Sequence, residues 1–424
     1  MPHRMVNGRI KKTVDDLLIC GGPKAFAKPL HVGQPNIVNL DSVFERLQDI
    51  FQRAWLTNNG QYVQQFESLI AKQIGVRNCV AVCNGTVALQ LAIRALGMTG
   101  EVIVPSFTFV GTAHALAWQN IKPVFADIEP TSWTIDPESI RKLITPRTTG
   151  IIGVHLWGNP CQTEELRKIA DDHNLKLLYD ACHAFGCKAN GVSIGNLGDA
   201  EVFSFHATKF VHAAEGGAIT TNDDNLAERL REIRNFGFSN AGVNLIGTNA
   251  KMTEVSAAIG ISTLECIDEI VENNRRNRSE YESVLKSLPN VFVKEIPNHT
   301  TPNCQYIVVE VGDDSSLTRD ELLGVLQSEN VLARKYFHPG CHRLPAYREL
   351  YPDLSLPITD RVSRQVLVLP TGMAIGRYEI RMIGSIIATA IQNAIAVRKG
   401  IAASSSTAGF RPLPSAVVTP LPTA

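Results

Sequence analysis

The sequence lacks an excess of charge of either sign, because its 41 Lys and Arg residues balance its 41 Asp and Glu residues. Proteins that bind nucleic acids or anionic membrane surfaces usually carry a surplus of basic residues. We therefore expect neither a nucleic acid nor a membrane as a partner. The hydrophobic share of 44% and the charged share of 19% are typical of a soluble globular protein and exclude general disorder.

Three further features are missing, and each excludes a class of protein. No hydrophobic run near the start is long enough for a signal peptide or a membrane span, which favours a cytoplasmic location. The nine cysteines form no Cys-x-x-Cys pair, and Cys182 and Cys187 lie around His183 without zinc spacing, so we expect reduced thiols and no metal. No Gly-x-Gly-x-x-Gly motif follows an early strand, which argues against a nicotinamide-dependent oxidoreductase.

Short apolar runs alternate with stretches of helical periodicity over the first half of the chain. The predicted strands are 79–83, 102–104, 123–127, 150–156 and 175–179, with helices in the intervals. This alternation predicts an α/β fold whose sheet is mostly parallel and covered on both faces.

The length of 424 residues is too great for one ordinary core, so we expect a large α/β domain and a smaller α+β domain. A long helix from Glu254 to about Lys286 is predicted to link them. The end of the chain is rich in Ala, Ser, Thr and Pro, which favours disorder. The predicted divisions are an N-terminal mobile arm at 1–27, the large domain at 28–274, the small domain at 275–398 and a disordered tail at 399–424.

Lys209 stands in a predicted turn between two buried strands. A buried lysine is unfavourable unless it is neutral or chemically bound, and a Schiff base with pyridoxal 5′-phosphate (PLP) satisfies both conditions. Desolvation at such a site would lower the pKa of the amine. By base rate alone, a surface lysine in a loop is the commoner interpretation.

Several polar and aromatic residues at predicted strand ends overturn that base rate, because ligands of parallel sheets collect at the carboxyl ends of the strands. Asp180 would pair with the pyridinium nitrogen of PLP, although a helix-capping Asp would look the same. Phe109 would stack on the ring, although an aromatic residue after a strand is more often part of the core. Gly85, Thr86 and Ser204 would hold the phosphate, although a structural turn fits Gly85 and Thr86 equally well.

These residues lie in motifs that resemble the DegT/StrS-type nucleotide-sugar aminotransferases, a family of the aspartate aminotransferase superfamily. The resemblance runs from about Lys28 to Ile395. Its landmarks are residues 57–60 (TNNG), 84–89 (NGTVAL), 105–109 (PSFTF), 180–183 (DACH), 204–209 (SFHATK) and 247–252 (GTNAKM). It implies the PLP-dependent transferase fold of type I, with the large α/β domain and the smaller C-terminal α+β domain described above.

The resemblance also implies roles for individual residues. Lys209 would form the Schiff base and move the proton during transfer. Asp180 would pair with the ring nitrogen and His183 would contact the phenolate oxygen, although a plain helix-start histidine is the simpler interpretation of His183. Asn249 would reach the phosphate of the neighbouring subunit's cofactor, which implies a homodimer with shared active sites. The implied sugar-site residues are Asn59, Tyr336, His338 and His342.

The form of the lysine motif is similar to the branch of the family that aminates C4 of 4-keto-6-deoxy nucleotide sugars. The implied reaction moves an amino group from L-glutamate to a nucleotide-linked keto-deoxy sugar, with dTDP as the expected nucleotide, in a ping-pong scheme. Residues 210–212 (Phe-Val-His) depart from the commoner Phe-Phe-Asn, and this loop could change which sugar is accepted. The alternatives are a PLP-dependent sugar dehydratase, whose known forms replace the lysine with histidine, and a non-catalytic sugar-binding regulator of the same fold.

Overall fold

A seven-stranded sheet forms the centre of the protein, which we describe from a computed structural model for residues 10–407, with side chains to residue 403. In space the strands run β1-β7-β6-β5-β4-β2-β3, and only β7 is antiparallel to its neighbours. This sheet confirms the predicted α/β fold. The strands are β1 (Asn78–Val82), β2 (Glu101–Pro105), β3 (Lys122–Ala126), β4 (Thr148–Val154), β5 (Lys176–Asp180), β6 (Ala200–Ser204) and β7 (Gly217–Thr221).

Helices pack on both faces of this sheet, because its strands are apolar on both sides. One face of the sheet packs on α3, α4 and α7, and the other packs on α2 and α8. The helices are α1 (Leu40–Arg53), α2 (Gln61–Ile74), α3 (Gly85–Ala95), α4 (Val110–Ala117), α5 (Pro137–Leu143), α6 (Thr163–Asp172), α7 (Asp224–Arg234), α8 (Glu254–Leu264) and α9 (Ile267–Leu285).

A second, smaller core surrounds a three-stranded antiparallel sheet of β8 (Val291–Val293), β9 (Ile307–Val311) and β10 (Val366–Leu369). The helices after α9 are α10 (Arg319–Ser328), α11 (Pro345–Arg348), α12 (Pro357–Gln365), α13 (Arg377–Gln392) and α14 (Ala394–Thr407), of which α11 packs through Tyr347 on the core of the large sheet. Two-residue strands pair at Leu30–His31 with Val331–Leu332, at Phe238–Ser239 with Gly242–Val243, and at Lys188–Ala189 with Val192–Ser193 and Thr300–Thr301. Short 3-10 turns lie at Val14–Asp16, Leu18–Cys20, Leu156–Gly158 and Cys341–Arg343.

The predicted mobile arm is wrong for the part of it that the structure describes. Leu17 and Phe26 are fully buried in the small core, and the backbone N–H groups of Leu18 and Ala25 donate to the carboxylate of Glu329. Irregular chain with 3-10 turns carries no hydrophobic period, so this packing left no signal in the sequence. Residues 1–9 lie outside the described part of the chain.

The predicted long helix is wrong in one respect, because it breaks between Leu264 and Ile267. The N–H of Cys266 bonds to the carbonyl of Thr263, which tightens the last turn of α8. The helix that follows, α9, crosses the predicted domain boundary at 274 and packs on both cores.

The predicted disordered tail is wrong for residues 399–407, which continue helix α14. This helix is held because Val397 is fully buried and Ile401 packs against the small core. Residues 408–424 lie outside the described part of the chain.

All nine cysteines are free thiols. Within the described helices, none is by itself both long and apolar enough to cross a membrane, whereas α13 and α14 pass that test only as a pair bent by 97°.

Glu329→Ala is expected to destabilise the protein by about 3–5 kcal/mol, because it leaves a buried cation without its partner. Glu329 is fully buried, lies 3.4 Å from Nζ of Lys11, and accepts two backbone hydrogen bonds. Urea unfolding monitored by circular dichroism measures the change. The matched control is Arg77→Ala, which removes the exposed ion pair with Asp224 and should change stability by about 0.5 kcal/mol or less. Equal effects of the two variants would contradict a docked N-terminal segment.

Candidate active site

Lys209 lies in the loop that joins β6 to β7, as the sequence predicts. Two backbone hydrogen bonds close this loop, from Phe205 to Gly216 and from Ala213 to Phe205, both 2.8 Å long. The Phe205 side chain is fully buried and anchors the loop in the core. Lys209 is therefore half-buried at the carboxyl edge of the sheet, and its Nζ donates to the hydroxyl of Tyr306 at 3.3 Å.

The prediction that this site lowers the pKa of Lys209 is wrong for the geometry described here. Burial lowers the pKa, but the hydroxyl of Tyr306 and the carboxylate of Asp180 favour the ammonium form, and the pKa lies above its ordinary value. The amine is therefore held in place as a cation by its neighbours.

Asp180 is the last residue of β5, and hydrogen bonds fix both of its carboxylate oxygens. The hydroxyl of Thr112 donates to Oδ2 at 2.8 Å, and the backbone N–H of Cys182 donates to Oδ1 at 3.1 Å. The side chain is 7% exposed. A carboxylate that is buried and oriented in this way can hold a positive charge at a fixed position, as a protonated ring nitrogen requires.

His183 is buried beside Lys209 and is neutral. Its pKa lies well below the ordinary value because of burial and of repulsion by Lys209. The backbone N–H of Trp157 donates to Nδ1 at 3.3 Å, so the ring proton is on Nε2. His183 stacks on Phe337 with centroids 5.9 Å apart and contacts Tyr306 at 4.8 Å. Its Nε2–H can therefore donate to an anionic oxygen, which is the predicted role.

The residues predicted to hold a phosphate lie together at the N-terminus of α3. The side chain of Asn84 caps this helix by accepting from the N–H of Val87 at 2.9 Å, and Gly85 and Thr86 lie in the first turn, where amides have no intrahelical partner. A Cβ on Gly85 would lie 3.0 Å from the Cβ of Ser204, so the turn and that hydroxyl adjoin each other. Together they form a cradle of N–H and O–H donors.

Phe109 is the N-cap residue of α4, four positions after the end of β2, and presents an exposed ring beside this cradle. The ring is 52% exposed, whereas most apolar residues around it are buried. A Cβ on Gly111 would lie 3.0 Å from the Phe109 ring and 3.6 Å from the hydroxyl of Thr86. The position of Phe109 therefore fits a planar ring that stacks between it and the rest of the site.

Taken together, these residues fit PLP. The chain offers a lysine for the aldehyde, a carboxylate for the ring nitrogen, an N–H for the phenolate oxygen, an aromatic face for the ring and a helix N-terminus for the phosphate.

Asn59 and Asn249 lie elsewhere, on the surface beside the edge strand β1. Asn59 accepts from the guanidinium of Arg234 at 3.3 Å, and the backbone of Asn249 pairs with that of Asn235. Both side chains are exposed, and in the described part of the chain neither has a recorded contact with Lys209. One subunit alone does not bring them into the site.

Of the predicted sugar-site histidines, His342 is buried and contacts other parts of the chain. It is 1% exposed; its backbone N–H donates to the hydroxyl of Ser106, which in turn donates to Nδ1 at 2.6 Å. Its Nε2 faces Asp360 at 3.4 Å. Because both ring nitrogens face protein groups, His342 fastens residues 336–343 to Ser106, which follows β2, and its contact with the sugar stays a prediction.

Tyr336 and His338, the other two residues predicted for the sugar site in this segment, lie in a loop beside His183. Tyr336 is half-buried and stacks on Phe337 with centroids 5.1 Å apart. His338 is half-buried, and burial together with nearby Arg319 lowers its pKa, so it is neutral. Both belong to the loop that covers the aromatic side of His183.

Val211 and His212, the two residues that differ from the commoner Phe-Phe-Asn, do not face the site. Val211 is buried in the core, and His212 is buried with its Nε2–H donating to the carbonyl of Asn36 at 2.9 Å. Burial lowers the pKa of His212 and keeps the ring neutral. The altered loop therefore changes packing below the lysine.

Sequence reasoning missed four residues that shape the site: Thr112, Trp157, Tyr306 and Phe337. Three are aromatic and are read as core from sequence alone. Thr112 lies one helical turn after Phe109, and this spacing was the only available signal.

Comparisons with known proteins agree with this geometry. The profile of the DegT/DnrJ/EryC1/StrS aminotransferase family matches residues 40–388. A dTDP-4-amino-4,6-dideoxy-D-glucose transaminase of Shigella dysenteriae is 38% identical over 81% of this chain and 94% of its own length. A GDP-perosamine synthase of Vibrio cholerae is 33% identical over 77% of this chain and 89% of its own length.

Among solved structures, DesI, crystallised in the presence of its TDP-sugar product, is 45% identical. The match covers 93% of this chain and all of that one, with a TM-score of 0.87. These matches confirm the resemblance, the type I transferase fold and PLP as the cofactor. The chain belongs to the DegT/DnrJ/EryC1/StrS aminotransferase family.

Proposed function

We propose that this enzyme transfers the amino group of L-glutamate to C4 of a nucleotide-linked 4-keto-6-deoxyhexose, with dTDP as the nucleotide. The observation that carries the chemistry is the convergence of Lys209, Asp180 and His183 at one edge of the sheet. The sugar and the nucleotide are supported by the names of the two relatives with 38% and 45% identity. We place the reaction in the cytoplasm, as the sequence leads us to expect.

The residues of the chain divide the work between binding and proton transfer. When bound, PLP supplies an electron sink for the charge that develops at the reacting carbon. Lys209 carries the proton to and from that carbon, and the hydroxyl of Tyr306 at 3.3 Å from Nζ directs the amine. Asp180, oriented by Thr112, would keep the ring nitrogen protonated, and His183, whose Nδ1 accepts from Trp157, would donate from Nε2 to the phenolate oxygen.

The transfer proceeds in two halves at the same lysine. Glutamate gives up its amino group and leaves as 2-oxoglutarate; the keto-sugar then binds, accepts the amino group and leaves as the amino-sugar. Because the nitrogen moves from donor to enzyme to acceptor, the two substrates need not be present together, which is the definition of a ping-pong scheme.

We also propose a homodimer with shared active sites. Asn249 is exposed beside Lys251 and Phe236, on a surface with unusually many exposed apolar side chains. These apolar side chains are Phe44, Phe51, Trp55, Leu56, Phe236, Phe238, Val243 and Ile246. The two parts of this surface adjoin, because the carbonyl of Leu56 accepts from the N–H of Glu254 and Asn59 contacts Arg234. A second copy that covers it would bring Asn249 towards a neighbouring site.

A product assay tests the proposal. Light scattering first measures the mass of the PLP-loaded enzyme, which we expect to be twice the 46.4 kDa of one chain. The enzyme is then incubated with L-glutamate and a panel of nucleotide-linked 3-keto and 4-keto sugars. We expect a 4-amino-4,6-dideoxy product and one 2-oxoglutarate per amino-sugar, with the dTDP sugar preferred to the GDP sugar. A deoxygenated product would point to a dehydratase, and failure to bind PLP would point to a non-catalytic regulator.

A further inference from the structure

Arg334 is a cation of the small domain for which the described part of the chain supplies no hydrogen-bond acceptor. It is half-buried, and its Nε is fully buried without a hydrogen-bond partner. Among residues 10–407 no ion pair of its guanidinium is recorded. The nearby cations do have acidic partners. Arg319 and Lys335 both form an ion pair with Asp320. Arg361 forms one with Glu310.

The backbone shows which way Arg334 points. Its N–H and carbonyl exchange hydrogen bonds of 3.0 and 2.7 Å with Val368, and residues paired in this way send their side chains to the same face. Val368 in turn pairs with Val308 of β9. Val308 and Val368 pack with Tyr306, whereas Ala333, next to Arg334, points into the small core.

Arg334 therefore shares a face with the residue that binds the lysine. Tyr306 lies two positions before Val308 on this face, and its hydroxyl accepts from Nζ of Lys209 at 3.3 Å. The pKa of Tyr336 is raised by burial, while Arg334 and Lys209 both act to lower it, which places two cations near one hydroxyl.

A guanidinium in such a position calls for an anion from outside the chain, because a partly buried charge without a partner is unfavourable. We propose that Arg334 binds a carboxylate of the amino donor and so selects a dicarboxylic amino acid; this inference rests on the proposed function. The planar fork of arginine matches a carboxylate with two parallel hydrogen bonds. The carboxylates of glutamate lie only a few bonds from the nitrogen that reacts at Lys209, whereas the diphosphate of a nucleotide sugar lies beyond the hexose ring.

The test separates the two half-reactions. PLP-loaded Arg334→Gln is titrated with L-glutamate and followed by cofactor absorbance, and binding of glutarate is measured by calorimetry. We expect the half-saturating glutamate concentration and the Kd for glutarate to rise about 100-fold, since one charged hydrogen-bonded pair is lost. The half-reaction with the keto-sugar should keep its rate within about twofold, because the sugar does not use this pair.

The matched control is Lys335→Gln, the next residue along the chain, whose ammonium lies 3.4 Å from Asp320. It should change neither half-reaction. If Arg334→Gln fails to fold, Arg334→Lys, which keeps the charge but loses the fork, should still raise the half-saturating glutamate concentration, and an unchanged value overturns the inference.

Two failures are distinguishable. If wild-type enzyme does not react with glutamate at all, the proposed function is wrong. If wild-type enzyme reacts and Arg334→Gln keeps its affinity for glutamate and glutarate, or instead loses affinity for the nucleotide sugar, the assignment of Arg334 to the donor is wrong.

Discussion

Lys209→Ala is expected to lower kcat for transamination by about 10⁴-fold or more, because it removes the nucleophile and the proton carrier together. The neighbouring groups remain: Asp180, His183 and the N-terminus of α3 do not depend on the lysine for their orientation. The variant should therefore bind PLP without a covalent bond. Single-turnover mixing with L-glutamate measures the rate, and dialysis followed by absorbance measures retention of the cofactor.

The matched control for this change is Lys168→Ala, which removes an exposed lysine that pairs with Asp172 on α6. It should retain wild-type activity. Turnover of glutamate by Lys209→Ala at a rate within tenfold of wild type would contradict the assigned role. Methylamine is a small diffusible base, and adding it to this variant should restore part of the lost proton transfer.

The carboxyl-edge residues were predictable from sequence because the rule that governs them is local. A residue that ends a parallel strand, or follows it within a few positions, lies at the edge of the sheet where ligands bind, and this applies to Thr86, Phe109, Asp180 and Ser204. The parallel sheet then brings these ends together without any further information.

The residues that sequence reasoning missed depend on packing between parts of the chain that are far apart in sequence. Tyr306 and Phe337 come from the small domain and meet His183 in one apolar cluster. An aromatic residue at such a position has the same periodicity as any core residue, so its function is not visible in the pattern. The buried N-terminal segment escaped prediction for a related reason, since its contacts with Glu329 join parts of the chain that are more than 300 residues apart.

The partners of the two ring nitrogens explain why His183 and His342 differ in what each can bind. His183 has few polar contacts in the chain and keeps its Nε2–H available, whereas His342 uses Ser106 and Asp360. Both rings are neutral, because burial lowers the pKa of each. The role of a histidine near an active site therefore depends on which partners its two ring nitrogens have.

Asp180→Asn is expected to lower kcat by about 10³-fold while leaving the fold intact, because it removes the charge that keeps the ring nitrogen protonated. The amide has nearly the shape of the carboxylate: its oxygen can accept from the N–H of Cys182, and the hydroxyl of Thr112 can turn to accept from its NH2 group. The absorbance of the bound cofactor as a function of pH reports the ring nitrogen directly, and its pKa should fall in this variant. Asp180→Glu keeps the charge and should regain part of the rate.

Thr112→Val supplies the graded comparison, because it leaves the charge of Asp180 in place and removes the hydroxyl that orients Oδ2, together with the contacts of that hydroxyl to Thr108 and Phe109. Loss of such a supporting contact usually costs about 10–100-fold in activity. The expected order of rates is therefore wild type, then Thr112→Val, then Asp180→Asn. A rate for Asp180→Asn within a fewfold of wild type, with an unchanged titration of the cofactor, would show that the carboxylate caps the turn at residues 180–182 and does not hold the ring nitrogen.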